Sequence, residues 1–235
     1  MKWLFSLFSP ARQTIDKEKF ERYRKFRELG RRLNVELAKS LPPPALPEAG
    51  KKLGLYKAGT LILNQDDEIS IAYDYCVHHY RRAGRNAIDR MLEQTQPENG
   101  DERSYLEVMA SADFSVFRLD EILPHQGARL TDLINGETFD LMDMSLCSTA
   151  QPGLIITGRI LAFDDFRMSS GTLVPVPEPV FDKKIEPVIR KFRGGDDGEP
   201  GGLSGARRAA LEAQVLRIAL HAGGEDNSFF TDIDN

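Results

Sequence analysis

The stretch PGLIITGRILAF, residues 152–163, decides the fold class. It consists mainly of apolar and β-branched residues, and Asp164-Asp165 directly after it favours a turn. Similar runs lie around it, at residues 114–123, 128–133, 138–144, 166–168 and 172–176. The connections are too short for the crossovers that parallel strands need, and Asn135-Gly136 is a tight-turn signal. Residues 111–176 are therefore predicted to form at least four mainly antiparallel strands, in a small barrel or a strongly bent sheet.

Helical periodicity precedes and follows this β region. Apolar residues recur at three- and four-residue steps from Thr14, the predicted N-cap, to Lys39, and again over residues 67–95. The second helix is expected to bury one face, formed by Ile69, Tyr73, Cys76, Tyr80 and Ile88. Shorter helices are predicted at 101–110, 181–192 and 206–221. The predicted fold class is α+β, with N-terminal helices, then a small antiparallel β-barrel-like or strongly bent sheet, then a short C-terminal helix.

Composition divides the chain into four predicted parts. These are a basic helix with a connector rich in Pro and Gly at 1–60, the helical part of the main domain at 61–110, the antiparallel β module at 111–180, and helices, a flexible linker and an acidic tail at 181–235. The connector, residues 41–59, contains four prolines and three glycines and is interpreted as a semi-rigid spacer. The linker is placed at 194–205 because of its many glycines.

Charge is distributed unevenly along the chain. The formal net charge is −5, but residues 1–57 carry 14 Lys and Arg against 6 Asp and Glu, and the remainder carries 17 against 30. These sums, +8 and −13, favour docking of the basic helix on the acidic remainder, in the same chain or in a symmetric partner. Because acids are interspersed and no stacking platform of aromatic and basic residues is seen, nucleic acid is not expected as a partner. A protein partner and a homo-oligomer stay open.

The sequence has no apolar run near the ~18 residues that a membrane-spanning helix needs. Its apolar start, MKWLFSLF, is followed by Pro10 and a charged helix instead of a cleavage site, so export is not expected. This start is interpreted either as a strip packed on the body or as an anchor for a membrane surface or partner. Cys76 and Cys147 make no disulfide framework, and we predict a cytoplasmic protein.

Asp74 and His78 are the first candidates for site chemistry. They lie four residues apart on the predicted long helix, so both side chains reach one face, and Cys76, His79 and His125 could complete a metal site. However, the adjacent His78 and His79 point about 100° apart on a helix, and an Asp and His pair at this spacing is an ordinary surface contact. No metal ligand and no cofactor is therefore predicted.

Cys147 is the second candidate. It could be a nucleophile if a base such as His125 folded beside it, but a small buried cysteine is the usual case. Carboxylates that could supply an acid and base pair are Asp140, Asp143, Asp164 and Asp165, of which the last two also suit a turn. The strings GxGxxG, GxxxxGK, HExxH and GxSxG do not occur in the sequence. No catalytic residue is assigned.

Residues 105–175 resemble a known domain. The stretch YLEVMASADFSVFRLDEILPHQGARLTDLINGETFDLMD, followed by PGLIITGRILAF and a Ser-Gly turn, contains an aromatic strand, a turn at Gly127, Leu130-x-Asp132-Leu133, Gly136, and a strand from Gly153 to Arg159. This pattern is similar to an uncharacterised bacterial domain that often accompanies a C-terminal SEC-C zinc motif. The resemblance implies that fold and no activity. A SEC-C motif needs clustered Cys and His ligands near the C-terminus, where this chain has only His221, so zinc binding is not carried over.

Two classes of function remain open from the sequence. The first is a non-enzymatic binding or scaffold protein, in which a β module is carried on helices and the termini contact partners. The second is a hydrolase-like or metal-dependent enzyme with a site near His125 at the mouth of the β module. Because no catalytic signature occurs, the first class is favoured. A deep pocket that joins His125 to Cys147 or to two carboxylates would favour the enzyme.

Overall fold

The computed structural model describes residues 16–63, 66–96, 98–194 and 205–222. Its architecture is α+β, as predicted, with N-terminal helices, an antiparallel five-stranded sheet and a C-terminal helix. The apolar start of the chain, nearly all of the linker predicted at 194–205 and the acidic tail lie outside the described residues.

The first half of the described chain is helical, apart from a short hairpin. Its elements are α1 (Lys17–Ser40), α2 (Ala45–Leu53), β1 (Tyr56–Lys57), β2 (Thr60–Leu61), α3 (Asp66–His79), α4 (Ala87–Gln94) and α5 (Gly100–Ser111). α1 begins after Asp16, whose side chain accepts hydrogen bonds from the backbone N–H groups of Glu18 and Lys19. The prediction of Thr14 as N-cap is wrong, because Asp16 satisfies the N–H groups of the first turn. Thr14 itself lies outside the described residues.

The predicted spacer at 41–59 contains a helix. α2 has nine residues, of which Ala45, Ala49, Gly50 and Leu53 are buried. Its prolines are compatible with a helix, since Pro44 is the N-cap residue and Pro47 lies in the first turn, where no N–H has an intrahelical partner. The spacer interpretation is therefore wrong over α2.

The long helix predicted over 67–95 is two helices, α3 and α4. Residues 80–86 between them form a turn that includes an isolated bridge. Asn86 then caps α4, because its side chain accepts from the Asp89 N–H while the Asp89 carboxylate accepts from the Asn86 N–H. Of the predicted buried face, Cys76 and Ile88 are buried, whereas Ile69, Tyr73 and Tyr80 are partly buried.

The β region forms one sheet in the order β5-β4-β3-β6-β7. Its strands are β3 (Phe114–Leu123), β4 (Gly127–Asp132), β5 (Thr138–Leu141), β6 (Ile155–Ala162) and β7 (Arg167–Val176), with α6 (Met144–Thr149) after β5. All four neighbouring pairs are antiparallel, which confirms the prediction for residues 111–176. The sheet is not closed, because β5 and β7 are its edge strands and do not pair with each other, so the chain forms an open sheet and not a closed barrel. The two edges nevertheless approach at one point, where Met142 N donates to Arg167 O at 2.8 Å.

The last described elements are helical. They are α7 (Glu178–Val180), a π-helical turn (Phe181–Ile185), α8 (Glu186–Gly194) and α9 (Gly205–Ala222), which confirm the two helices predicted there. α9 packs with α2 and α3 in one hydrophobic core. Among the described helices, none combines the length and the apolar character that crossing a membrane requires.

The basic helix α1 docks on the turn between β6 and β7 of the same chain. Its aromatic face meets this turn, with ring centroids 4.7 Å apart for Phe26 and Phe163 and 6.1 Å apart for Tyr23 and Phe166. Arg22 Nη1 lies 2.7 Å from Asp165 Oδ1 in the turn. Of the two forms of docking predicted from the charge split, the structure therefore shows the one within a single chain.

Candidate functional site

A cleft of about 530 Å³ lies between α1, α3 and β7. Its charged lining residues are Arg27 and Arg31 from α1 and Asp74 from α3. Uncharged polar side chains in its wall include Asn34 and Ser170. The volume lies in the range of ~300–1,000 Å³ typical of sites for small molecules.

The periodicity of each element places these side chains in the cleft wall. On α1 the lining residues follow the i, i+3, i+4, i+7 pattern of one helix face, at Arg27, Gly30, Arg31, Asn34, Val35 and Ala38. The same spacing on α3 gives Ser70, Tyr73, Asp74 and Val77. On β7 the alternating residues Met168, Ser170 and Thr172 line it. Each helix contributes one face and the strand contributes one face of its pleat.

Polar side chains fasten α1 to the edge strand β7. Arg27 Nη1 donates to Ser169 O and to Ser169 Oγ, each at 3.1 Å, and Asn34 Nδ2 donates to Ser170 O at 3.2 Å. An edge strand leaves backbone groups without a neighbouring strand, so these bonds cover the edge of the sheet. They also hold Arg27 in place in the cleft wall.

A buried charge network lies behind Asp74 and joins α3, β6 and α9. Arg159, which is 2% exposed, donates to Asp74 Oδ2 and to Glu212 Oε2, each at 2.5 Å. His79 Nε2 lies 2.6 Å from the same Glu212 oxygen. We call these four residues the Arg159 network. Two carboxylates face the guanidinium because an unpaired charge at this depth would be strongly destabilising.

The geometry of the network assigns the proton on His79. A carboxylate oxygen only accepts, so His79 carries a proton on Nε2 and donates it to Glu212. The guanidinium only donates, and its 3.1 Å contact with His79 Nε2 is therefore not a hydrogen bond. Glu212 Oε2 receives two donors, whereas its Oε1 has no partner within the described ranges.

The two carboxylates of the network differ in pKa. Burial raises the pKa of Asp74, although Arg159 acts in the opposite direction. Burial also acts to raise the pKa of Glu212, but Arg159 and His79 together outweigh it and hold this pKa below its ordinary value. The difference follows from the contacts, because Glu212 has two donors and Asp74 has one.

One buried polar atom of the cleft wall lacks a hydrogen-bond partner in the described part of the chain. Ser170 is 4% exposed, and its Oγ has none. Asp74 Oδ1 lies 3.9 Å from His78 Nε2, beyond hydrogen-bond distance, and no donor to it is present. Opposite them, a Cβ at Gly30 would overlap the Tyr105 hydroxyl, so only glycine lets α1 approach Tyr105 this closely. The cleft therefore has the Asp74 carboxylate in its lining and the buried Ser170 hydroxyl within its wall.

The five candidate metal ligands are not brought together. Asp74 and His79 belong to the Arg159 network, Cys76 Sγ donates to Ala45 O at 3.3 Å, and His125 is exposed in the turn between β3 and β4. No three His, Cys, Asp or Glu side chains of the described residues are arranged to hold a metal ion. Between Asp74 and Glu212, the position that would suit a cation is taken by Arg159.

Cys147 is held as a thiol and does not pair with the His125 ring. Its Sγ donates to Gly127 O at 3.2 Å and to Leu123 O at 3.6 Å, and burial raises the pKa of Cys147. The candidate carboxylates have other surroundings: Asp140 binds Arg129, Asp143 caps α6, Asp165 binds Arg22, and Asp164 is exposed in a turn. The structure gives Cys147, Asp140, Asp143 and Asp165 structural contacts, and no hydrogen bond or ion pair among the described residues joins them to the His125 ring.

Arg159 and Glu212 are site residues that sequence patterns did not single out. A signal existed for both, since Arg159 is the one charged residue in the apolar run 154–163 and Glu212 follows Leu211 in the buried stripe of α9. A charge inside an apolar stripe indicates a buried partner. The partner could not be chosen from the sequence, because 53 residues separate the two.

Comparison with known families gives a match over most of the chain. The model of the family described as "Family of unknown function (DUF7986)" matches residues 17–192. No curated protein and no solved structure gives a significant match. The matched segment contains all three walls of the cleft and ends before α9, which supplies Glu212. The match supports an uncharacterised domain, as the resemblance implied, but shows no link to the SEC-C motif.

Proposed function

The chain belongs to this family of unknown function, and we propose that it is a binding protein that holds a small polar molecule in the cleft between α1, α3 and β7. The observation that carries the proposal is the Ser170 hydroxyl, which is buried in the cleft wall with no hydrogen-bond partner in the described residues. Buried polar groups nearly always have a partner. A polar molecule in the cleft would supply one.

The construction of the cleft supports the same function. Its walls are two helices and one strand, elements that hold side chains more precisely than loops do. Arg27 and Asn34 are fixed by bonds to β7, and Asp74 is fixed by Arg159. A few fixed polar groups in a preformed cavity of this size are typical of small-molecule sites.

The enzyme alternative near His125 has less support. Its ring is exposed, Cys147 is held as a thiol, and the carboxylates nearby are engaged in structural contacts. A protein partner, a homo-oligomer and a cytoplasmic location stay predictions. We prefer the cleft because it brings fixed polar groups together, which the surroundings of His125 do not.

Nucleic acid is a poor candidate for the sheet. On the solvent-facing side of β3, β4 and β5, Arg129 is paired with Glu121 and Asp140, and Arg118 with Asp120. Three carboxylates against two guanidinium groups give this face no excess of positive charge, which phosphate binding requires.

The proposal is tested by thermal unfolding of the full chain with a panel of sugars, sugar phosphates, amino acids and nucleotides, together with native mass spectrometry of the protein from its host. A ligand at 100 times its Kd stabilises the folded chain by about 2.7 kcal/mol, so at least one panel member should raise the Tm. Ala38→Phe, which fills the cleft from α1, is expected to abolish this increase.

The matched control is Ala110→Phe, the same substitution at an exposed position of α5. Both variants should unfold near the wild-type Tm without ligand, and the control should keep the ligand response. A protein that carries no small molecule from its host and responds to no panel member would contradict the proposal, as would a full response in Ala38→Phe.

A further inference from the structure

A second cavity, an open groove of about 910 Å³, lies along one face of α9, and we call it the α9 groove. Its apolar lining consists of four small and two larger side chains, those of Ala206, Ala209, Ala210, Ala213, Tyr75 and Ile218. On α9 the lining residues extend from Ala206 to His221, which are about 22 Å apart at the helical rise per residue. The groove is therefore long enough to hold a stretch of polypeptide.

The charged lining of the α9 groove is basic. Lys52 comes from α2, Lys184 from the π-helical turn and Arg217 from α9, with His221 nearby, and none of the described lining residues is Asp or Glu. Within the described residues, Lys184 and Arg217 form no ion pair, and Lys52 Nζ lies 5.9 Å from the centre of the Tyr75 ring. The groove is thus a positive strip on a chain of net charge −5, and it favours an anionic occupant.

Lys184 lies in the π-helical turn at Phe181–Ile185. Turns of this kind are rare, and they occur frequently at functional sites. The neighbouring residue Lys183 is also exposed, but it does not line the groove. The turn therefore contributes only one of two adjacent lysines to the groove, and the other serves as a matched control.

The residues that follow α9 have the complementary chemistry. The stretch GGEDNSFFTDIDN, residues 223–235, which we call the acidic segment, contains four acids and neither Lys nor Arg, together with Phe229, Phe230 and Ile233. It follows Ala222, the last residue of α9, and its first two residues are glycines, which allow a chain to reverse at the end of a helix. Residues 225–235 can span about 36 Å when extended, more than the length of the groove.

We propose that the acidic segment binds in the α9 groove of its own chain. In this arrangement its carboxylates pair with Lys52, Lys184 and Arg217, and its two phenylalanines pack on the alanine lining. Exposed ion pairs are individually weak, so the apolar contacts are needed as well. Tethering favours the same chain over another molecule, because a segment joined directly to the helix that lines its site has an effective concentration on the order of millimolar. The α9 groove shares no lining residue with the cleft between α1, α3 and β7, and binding there does not require a ligand in that cleft.

Carbodiimide cross-linking of the full chain locates the acidic segment, because it joins a lysine amine to a carboxylate that contacts it. Peptide mass spectrometry should show cross-links from Lys52 and Lys184 to acids of the segment, and few or none from Lys183. In an equal mixture of isotopically labelled and unlabelled chains, these cross-links should join peptides of the same isotope. Cross-links between the two isotopes would overturn the proposal in favour of a second copy. Cross-links from Lys52 and Lys184 to residues 195–204 instead, or segment cross-links that are as frequent at Lys183, would also overturn it.

Proteolysis of the full chain measures how tightly the segment binds. Chymotrypsin cleaves after phenylalanine, and cleavage at Phe229 and Phe230 tracks the fraction of chains in which the segment is released. Lys184→Glu combined with Arg217→Glu should accelerate this cleavage at least about fivefold. Lys183→Glu combined with Arg193→Glu, which makes the same charge change at exposed positions outside the groove, should leave the rate unchanged.

Charge exchange separates a lost ion pair from a damaged fold. Replacing the four acids of the segment with Lys in the Lys184→Glu, Arg217→Glu variant should restore slow cleavage, because the exchanged charges attract again. All of these variants change exposed or undescribed positions and should unfold near the wild-type Tm. Equal cleavage rates in wild type and in the groove variant would overturn the proposal, as would continued fast cleavage after the charge exchange.

Discussion

His78 is a buried histidine beside the Arg159 network, and its titration affects stability in acid. Burial lowers the pKa of His78 well below its ordinary value, and Arg159 and His79 act in the same direction. Asp74 Oδ1, at 3.9 Å from Nε2, is too distant for a hydrogen bond that would stabilise the charged ring. Below a pH of about 6.5, His78 therefore becomes protonated in the unfolded chain but stays neutral in the folded chain. The free energy of unfolding consequently decreases as the pH falls.

We expect the loss of stability between about pH 7.5 and pH 5.5, measured by urea unfolding, to be smaller in His78→Gln than in wild type. One such proton changes the free energy of unfolding by at most about 1.4 kcal/mol per pH unit. The raised pKa of Asp74 has the opposite effect, because it makes the folded chain more stable as the pH falls. The lowered pKa of Glu212 adds to the loss of stability at lower pH. The exposed His125 supplies the control, His125→Gln, which should keep the wild-type loss. Equal losses in His78→Gln and wild type would show that His78 does not carry this effect.

At the level of single residues, the sequence indicates part of the site. Helical spacing places Asp74 and His78 on one face, and the sequence offers them, with His79, as candidate metal ligands that it does not assign. The partner of Asp74 is Arg159 from β6, and Ser170 comes from β7. Which strand residue faces which helix is set by tertiary packing, and periodicity alone does not contain it. The cleft was therefore not predictable even though each of its walls follows a regular spacing.

α4 is anchored by Ile88, which is fully buried among α1 and α5. Ile88→Ala should reduce the free energy of unfolding by about 2 to 5 kcal/mol, because it removes buried methyl groups and leaves a cavity. Ile62→Ala, at a side chain that is 45% exposed, is the control and should change it by less than about 0.5 kcal/mol. Chemical denaturation measures both. A loss for Ile88→Ala no larger than that of the control would show that α4 does not belong to the core.

The elements were predicted best where pattern and turn chemistry agree. Asn135-Gly136 and Asp164-Asp165 are turns at the places predicted, and β6 covers the strongest apolar run. The break between α3 and α4 was missed for a geometric reason: residues 80–86 are seven residues, close to two helical turns, so the apolar period continues in phase across the break. α2 was missed because its prolines stand where a helix tolerates them.

At the scale of the whole molecule, the charge split has a structural outcome. Three cations of α1 form ion pairs with acids of later elements: Arg22 with Asp165, Lys25 with Asp101 and Arg32 with Glu102. These pairs are at least partly exposed, and each is worth little by itself. Tyr23, Phe26, Phe163 and Phe166 form a buried aromatic cluster. Burial of their apolar surface stabilises the docking of α1 more than the exposed ion pairs do. The sequence predicted docking but could not distinguish the same chain from a second copy, since the two share one pattern of charges.

Because the α1 cations are engaged in this way, we expect the full chain to bind no random-sequence DNA or RNA in fluorescence anisotropy even at about 50 mM salt. A nucleic-acid surface would instead give an affinity that falls linearly in log salt, by release of counterions from each neutralised phosphate.

Stability should fall only slightly as salt rises, since exposed pairs contribute about 0 to 1 kcal/mol each. Arg22→Glu should lower the free energy of unfolding by part of this contribution, because it places two negative charges side by side. Arg22→Glu combined with Asp165→Arg should restore that free energy, because the exchanged charges attract again. Tight, salt-sensitive binding of random oligonucleotides that disappears in Arg22→Glu with Arg24→Glu would instead make α1 a nucleic-acid surface.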